Sequence, residues 1–123
     1  MTQYLISFDD GAMTFPEEEL PEVAEASHEV VRKAQDAGVW VFGGGLERQR
    51  ASVVATDGTV SDGPYPEAKE VLGGFAVVDV ATREEALRWA AKIAVACRCA
   101  QEVREIGADP ELDAMLRQAD SQR

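Results

Sequence analysis

The chain has 123 residues, of which 46% are hydrophobic, and a formal net charge of −11 at pH 7. This length matches one domain with a single core, and no apolar run approaches the roughly 18 residues of a membrane-spanning helix. We therefore expect a soluble domain without a membrane partner. Because an acidic surface repels phosphate backbones, we also expect no direct binding of nucleic acid.

The N-terminus and the cysteines indicate the cellular compartment. The first residues lead straight into an apolar alternation, without the basic region and small-residue cleavage site of a secretory signal, which predicts a cytoplasmic protein. Cys97 and Cys99 are the two cysteines, and a disulfide between such close neighbours would be strained, so we expect both to be reduced. Even with His28, the single histidine, they do not supply the about four ligands of a zinc site. We expect no metal and no cofactor.

The chain opens with a predicted strand and a predicted helix. Apolar residues alternate over positions 2–8, which favours a strand. From about residue 21 to residue 37 the spacing becomes helical, and Gly38 supplies the stop. One arc of this helix is expected to be buried, and it holds Val23, Ser27, Val30, Val31 and Ala34. The hydroxyl at the centre of that arc is expected to bond back to a helical carbonyl.

Short strands fill the middle of the chain. Residues 39–43 are apolar on both faces and run into glycines at positions 43–45. These glycines lack the pattern of a Walker loop or a dinucleotide fingerprint, so we expect a tight turn or a close approach of backbones in the interface rather than a phosphate site. Residues 51–55 and 59–61 flank an Asp-Gly pair, which predicts a hairpin.

A second strand, helix and strand follow. A loop over 62–66 and a single helical turn over 67–71 precede a strong strand over 75–80. Thr82 and Glu85 have the spacing of a capping box and begin the second helix. The residues of this helix that should face the sheet are Ala86, Ala90, Ile93, Ala94 and Cys97, whereas Leu87 and Trp89 lie off that arc.

The chain ends with a predicted strand over 101–106 and an amphipathic helical tail. Asp109 and Pro110 have the order of an N-cap and a first helical residue. The apolar side of the tail consists of Leu112, Met115, Leu116 and Ala119. We expect this side to pack on its own domain or on a partner.

The order of the elements determines the expected fold. Strand, helix, strand, hairpin, strand, helix, strand is the split βαβ pattern of ferredoxin-like α+β domains. Two helices cover only one face of such a sheet, yet three strands are apolar on both faces: 2–8, 39–43 and 75–80. We therefore predict a homodimer in which a twofold-related sheet covers the second face. The alternative is that the C-terminal tail folds over that face.

Five motifs follow one another along nearly the whole chain: Asp62-Gly63-Pro64-Tyr65, Glu67-Ala68-Lys69-Glu70, Gly73-Gly74-Phe75, Arg83-Glu84-Glu85-Ala86 and Glu102-Val103-Arg104. In this order the chain resembles the YCII-related family, and specifically its DGPF-type branch. The resemblance assigns residues 1–108 to that domain and leaves 109–123 as the helical tail. It implies a dimeric α+β barrel of ferredoxin-like subunits. For activity, it implies either small-molecule enzymes that use a His and Asp pair or accessory proteins linked to alternative sigma factors.

The catalytic candidates are one histidine and two carboxylates. His28 lies at the margin of the buried helical arc, and histidine is the side chain that exchanges protons near neutral pH. Asp10, after the first strand, and Asp62, at the start of the Asp-Gly-Pro-Tyr loop, are the carboxylates that would orient the imidazole. The alternatives are a structural or solvated histidine and an Asp62 that only sets a turn.

Three further residues are candidate ligand contacts. A turn does not require a tyrosine or a lysine, so Tyr65 and Lys69 need another explanation. We therefore treat their loop as a candidate rim of a ligand pocket. Arg104 alternates onto one face of the last strand together with Glu102. There it either holds an anionic ligand through its planar guanidinium or forms a structural ion pair, and the ion pair is favoured.

Two classes of function remain open at this point. The first is a cofactor-independent enzyme, such as an isomerase or lyase, in which His28 moves a proton on a small metabolite and Asp10 or Asp62 orients it. The second is a noncatalytic binding or regulatory module whose acidic surface, from Glu17 to Glu29, contacts a protein partner.

Overall fold

The computed structural model describes residues 1–47, 51–63 and 72–121. Over these residues the chain forms strands and helices with the following bounds: β1 (Thr2–Asp9), α1 (Leu20–Asp36), β2 (Trp40–Gly45), β3 (Ser52–Val54), β4 (Val60–Asp62), β5 (Leu72–Val80), α2 (Arg83–Cys97), β6 (Glu102–Glu105) and α3 (Pro110–Ser121). A short 3₁₀ helix, Glu17–Glu19, precedes α1. The predicted helical turn over 67–71 and most of the loop before it lie outside the described residues.

An antiparallel sheet of four strands, in the order β2-β5-β1-β6, forms the centre of the described chain. β1 pairs with β5 along its whole length, from Thr2 opposite Val80 to Asp9 opposite Leu72, and with β6 on its other side. The first and third strands of the split βαβ pattern are thus the two central strands, as that pattern requires. The predicted α+β class is confirmed.

Helices α1 and α2 pack together on one face of this sheet. α1 ends just before Gly38, whose φ of +74° is a conformation that favours glycine. α2 begins after Thr82, whose hydroxyl oxygen accepts a hydrogen bond from the backbone N–H of Glu85 at 3.2 Å, as the capping spacing predicts. No helix among the described residues is long and apolar enough to cross a membrane.

The hydrophobic core lies between these two helices and the face of the sheet that they cover. Its buried residues are Tyr4, Ile6, Ala34, Val39, Ala76, Val78, Val80, Ala86 and Ala90. Burial alternates along β5, where Val78 is buried and Val77, on the other face, is half-buried. Trp89 also packs against the core, although the helical arc predicted it to lie outside, because a ring of this size reaches the core from the flank of the helix.

The opposite face of the sheet, which we call the uncovered face, contacts no helix in the described part of the chain. It carries Leu5, Phe42, Phe75 and Val77. The rings of Phe42 and Phe75 contact each other, with their centroids 5.8 Å apart, and Phe42 is 63% exposed. The sequence therefore predicted correctly that both faces are apolar, and α1 and α2 bury one of them.

Two elements stand apart from the sheet. β3 and β4 form the predicted hairpin, with Gly58 at a φ of +88° in its turn. The tail helix α3 begins with Asp109, whose carboxylate accepts a hydrogen bond from the N–H of Leu112 at 3.0 Å. Within the described residues α3 contacts no other helix or strand, and Leu112, Met115 and Leu116 are exposed. The tail therefore does not fold over the uncovered face.

Candidate functional site

A cleft of about 540 Å³ lies between α1, α2 and the covered face of the sheet. This volume falls within the roughly 300–1,000 Å³ that is typical of small-molecule sites. Most of its walls are apolar, with contributions from Ile6, Phe8, Val31, Trp40 and Ile93. Few polar side chains line the cleft, and they are Ser27, His28, Cys97 and Gln101. The cleft is thus an apolar site with a small number of groups that can orient a ligand.

Two of the polar side chains contact each other where α1 passes the end of α2. The Ser27 hydroxyl donates to the Val23 carbonyl at 2.9 Å, which confirms the predicted back-bonding. The same oxygen lies 3.5 Å from Cys97 Sγ. Because the single hydroxyl proton goes to Val23, the serine oxygen accepts from the Cys97 thiol. This pair joins the two helices at the wall of the cleft.

His28 follows Ser27 on α1, and it both lines the cleft and meets solvent. Among the described residues that line the cleft, none is Asp, Glu, Lys or Arg. His28 is therefore the one side chain of this described lining that can carry a positive charge. In the described part of the chain, no three His, Cys, Asp or Glu side chains lie close enough together to hold a metal ion.

The turn after α2 supplies Gln101 to the cleft. Its side-chain amide donates to the Cys99 carbonyl at 3.2 Å and lies 3.5 Å from Cys99 Sγ. Burial raises the pKa of the Cys99 thiol and the neighbouring Cys97 acts in the same direction, whereas the hydrogen bond from Gln101 lowers it. Cys99 is therefore a neutral thiol near pH 7, and its contacts hold the Gln101 side chain in place.

Arg98 fixes this turn from the outer side. It has a left-handed backbone with φ of 59° and ends α2. Its guanidinium pairs with Glu19 of the 3₁₀ helix and lies over the Phe15 ring, 5.9 Å from the ring centroid. A partly exposed pair of this kind contributes roughly 0–1 kcal/mol to stability. Its consequence for the cleft is positional, because it ties the segment before α1 to the end of α2.

The glycine run at 43–45 forms the wall that β2 contributes to the cleft. The sequence predicted that these glycines end the strand, but they continue it, with Gly43 opposite Ala76 of β5. A Cβ atom at Gly43 would lie 2.6 Å from the Phe75 carbonyl oxygen and 2.8 Å from the Trp40 ring. Gly43 is therefore explained by a close approach to β5 of the same chain, whereas the prediction was a tight turn or a close approach in an interface.

One of the three predicted catalytic residues lines the cleft. His28 does so, whereas Asp10 lies just past β1, against Gly73 of β5. Asp62 is exposed in the hairpin strand β4. No hydrogen bond or ion pair joins His28 to a carboxylate in the described part of the chain. The catalytic roles of Asp10 and Asp62 therefore stay predictions.

The predicted ligand contacts are not brought to the cleft. Tyr65 and Lys69 lie outside the described residues. Arg104 lies on the uncovered face, opposite Leu5, and its Nε is 2.9 Å from Glu102 Oε1. This is an ion pair of the kind that the sequence favoured over an anion site. The binding roles of these three residues stay predictions as well.

Gln101 and the glycine wall are cleft residues that the sequence analysis did not identify as a site. Gln101 reaches the cleft because the left-handed Arg98 turns the chain back after α2, and no periodic pattern indicates such a reversal. For the glycines a signal existed, since three in succession inside an apolar strand require an explanation. Only the pairing of β2 with β5 shows on which face of the sheet each of the three glycines lacks a side chain.

Comparison with known proteins identifies the family. A profile of the YCII-related domain matches residues 2–108 of the chain. A search of curated proteins found no match. The matched range includes all four strands of the central sheet, both helices that cover it and every wall of the cleft, and it ends before α3. The chain belongs to the YCII-related domain family.

Proposed function

We propose that this chain is a homodimeric small-molecule-binding module of the DGPF-type branch of its family, and that it binds its ligand without converting it. The observation that carries the proposal is the cleft of about 540 Å³, whose apolar walls and short polar lining are typical of ligand sites. Its described lining has one imidazole and no carboxylate, which favours binding over acid/base chemistry. The Asp62-Gly63 pair at the start of the Asp-Gly-Pro-Tyr motif supports the choice of branch.

The homodimer is supported by the uncovered face. Phe42 and Phe75 form an aromatic pair there, beside Leu5 and Val77. A contiguous apolar patch on a domain surface usually marks an interface. A second copy related by a twofold axis presents the same patch and covers it. The expected assembly is the dimeric α+β barrel with its two sheets face to face.

The test of the binding function is a ligand screen followed by NMR. Small metabolites are added to the isotope-labelled full chain, and a ligand of the cleft is expected to shift the backbone amide signals of Ser27, Cys97 and Gln101. Val31→Trp, which fills the cleft, should abolish these shifts. Val95→Trp is the matched control, because Val95 is a valine on α2 that is 80% exposed. Binding that survives Val31→Trp would contradict the proposed site.

A cofactor-independent acid/base enzyme, such as an isomerase or lyase, is the second candidate. It is favoured by the position of His28 in the cleft lining. In this candidate the imidazole takes or gives the proton, and a carboxylate such as Asp10 or Asp62 has to be brought to it on ligand binding or by the second copy. The cleft of the subunit would then be one part of the catalytic site.

The fate of a bound ligand separates the two candidates. Under the binding proposal, NMR of the mixture shows the ligand chemically unchanged after long incubation with the protein. Under the enzyme candidate the ligand is converted, and His28→Ala lowers the rate by about 100-fold or more, since a general acid or base contributes roughly 10²–10⁴-fold. His28→Gln, which retains a hydrogen-bonding side chain, controls for lost binding. An unchanged melting temperature shows that both variants are folded.

A further inference from the structure

The three glycines of β2 have different surroundings, although they follow one another. A Cβ atom at Gly43 would collide with the backbone of β5. At Gly44 and Gly45 an added Cβ would meet no atom within 4 Å. Neither of these two residues has the positive φ that favours glycine. Packing and backbone geometry of the subunit therefore explain Gly43 and leave Gly44 and Gly45 unexplained.

The pairing of β2 shows in which direction each glycine points. Gly43, Gly44 and Gly45 pair with three successive residues of β5, without a bulge among them. Because side-chain positions alternate along a strand, those of Gly43 and Gly45 lie on one face and that of Gly44 on the other. A Cβ at Gly43 would meet the Trp40 ring, which packs against the covered core. The empty position at Gly45 therefore faces the cleft.

The neighbour of Gly45 across the strands defines the edge of this empty space. Gly74 of β5 pairs with Gly45, and a Cβ atom at Gly74 would overlap the Phe8 ring. The Phe8 ring thus covers one glycine of the pair and leaves the other open. We infer that Gly45 determines how large a ligand the cleft accepts. This inference rests on the proposed binding function and deepens it.

The lining also selects the chemistry of the ligand. Its described residues provide no lysine or arginine, so a doubly charged phosphate group would lose its hydration with His28 as the single side chain able to compensate any of its charge. Aromatic walls at Phe8 and Trp40 favour a ligand with an aromatic ring. The ligand class that fits is a compact aromatic molecule with one neutral hydrogen-bonding group.

The order of the strands gives the orientation of such a ligand. Gln101 directly precedes β6 at one edge of the sheet, and Gly45 ends β2 at the other edge. Three strand spacings of about 4.8 Å separate the two edges, so they lie roughly 14 Å apart. The polar group of the ligand is placed beside Ser27, Cys97 and Gln101. Its apolar end extends towards Gly45.

The experiment uses two neutral probes that differ in length and two glycine-to-valine variants, one inside the cleft and one outside it. Phenol has one ring and 4-phenylphenol has two, and the dissociation constants of both are measured by NMR titration of the Ser27, Cys97 and Gln101 amide signals. Gly45→Val places two methyl groups in the cleft. Gly107→Val is the matched control, because an added Cβ at Gly107 would also meet no atom within 4 Å and Gly107 does not line the cleft. Gly45→Ala is the milder variant, to be used if Gly45→Val lowers the melting temperature.

We expect Gly45→Val to weaken 4-phenylphenol binding about tenfold or more, because overpacking an occupied apolar site is unfavourable. Gly45→Ala should weaken it by a smaller factor in the same direction. Phenol, which does not reach Gly45, should bind within about twofold of wild type in every variant, and Gly107→Val should leave both probes within that range. Phenyl phosphate should leave the cleft signals unshifted.

The outcomes that overturn this inference differ from those that overturn the proposed function. Equal weakening by the two valine variants, or no weakening by Gly45→Val and Gly45→Ala, shows that Gly45 does not set ligand size while binding in the cleft stands. Binding of phenyl phosphate in preference to the phenols shows that the ligand class is wrong. The proposed function itself fails if no compound of the wider screen shifts the cleft signals of the wild-type protein.

Discussion

The two faces of the central sheet carry similar side chains in different surroundings. On the covered face, Ile6 and Val78 are 0% and 1% exposed beneath α1 and α2. On the uncovered face their chain neighbours, Leu5 and Val77, are only half-buried. The difference teaches that alternation along a strand determines which residues share a face, whereas the elements packed above that face determine what those residues contribute to stability.

The largest expected effect uses two adjacent valines of β5. Val78→Ala should lower the free energy of unfolding by about 2–3 kcal/mol, because it removes buried methyl groups and leaves a cavity. Val77→Ala should cost less than about 1 kcal/mol within the subunit, because that side chain is half-buried. Urea unfolding at a low protein concentration, where a dimer dissociates, measures both values. Equal losses would show that the uncovered face is packed as tightly as the covered one.

The next effect sharpens the comparison at the glycines of β2. Gly43→Ala should cost roughly 1–3 kcal/mol, because the new Cβ needs a shift of the β5 backbone. Gly44→Ala, on the uncovered face, should leave the free energy of unfolding unchanged or raise it by roughly 0.4–1 kcal/mol, because alanine lowers the conformational entropy of the unfolded chain. Thermal unfolding of the two variants side by side tests the difference. A stable Gly43→Ala protein would mean that β2 and β5 are not in close contact at this position.

A smaller effect is expected from a substitution at Phe42, which tests whether a second copy of the chain covers the uncovered face. Phe42→Asp places a charge in the proposed dimer interface and should weaken dimerisation at least about tenfold, equal to ~1.4 kcal/mol. The stability of the subunit should change little, since the ring is 63% exposed. Sedimentation equilibrium measures the dimerisation constant. Leu87→Asp is the control, because Leu87 is an exposed apolar residue on α2. A wild-type chain that is monomeric would refute the proposed dimer.

The elements of the fold were predictable because their signals are local. The alternation at 2–8, the stop at Gly38 and the cap at Thr82 each appear within a few residues of sequence, and each is present in the structure. The second half of β2 was not predictable in this way. Glycines are typical of turns, and the pairing of 43–45 with β5 depends on a strand about thirty residues further along the chain.

The candidate site was predictable in part. His28 was predicted as a catalytic candidate from its position on the helical arc, and it lines the cleft. Ser27 also lines the cleft, but it was predicted only to bond back to a helical carbonyl. Gln101 and Gly45 were missed, because the first depends on a left-handed residue after α2 and the second on the absence of a side chain. The sequence also gave no distance between His28 and the carboxylates, because loop conformation sets that distance.

The smallest expected effect is a pH dependence at the edge of the covered face. Burial raises the pKa of Tyr4, and the Glu105 carboxylate, whose Oε1 accepts from the phenol at 3.4 Å, acts in the same direction. The folded state therefore holds this proton more tightly than the unfolded state does. The resulting stability is fully present below the unfolded pKa of about 10, and it is lost as the pH rises through the folded pKa.

The chain has two tyrosines, so Tyr65→Phe leaves Tyr4 as the single phenol and its ionisation can be followed by ultraviolet absorbance. Its midpoint should lie above that of free tyrosine. Adding Glu105→Gln should move the midpoint down, because the neighbouring negative charge is lost, but not to the free value, since burial by the helices remains. A midpoint at the free value in Tyr65→Phe would mean that water reaches the Tyr4 side chain. The helices would then cover less of the sheet than the burial of Tyr4 indicates.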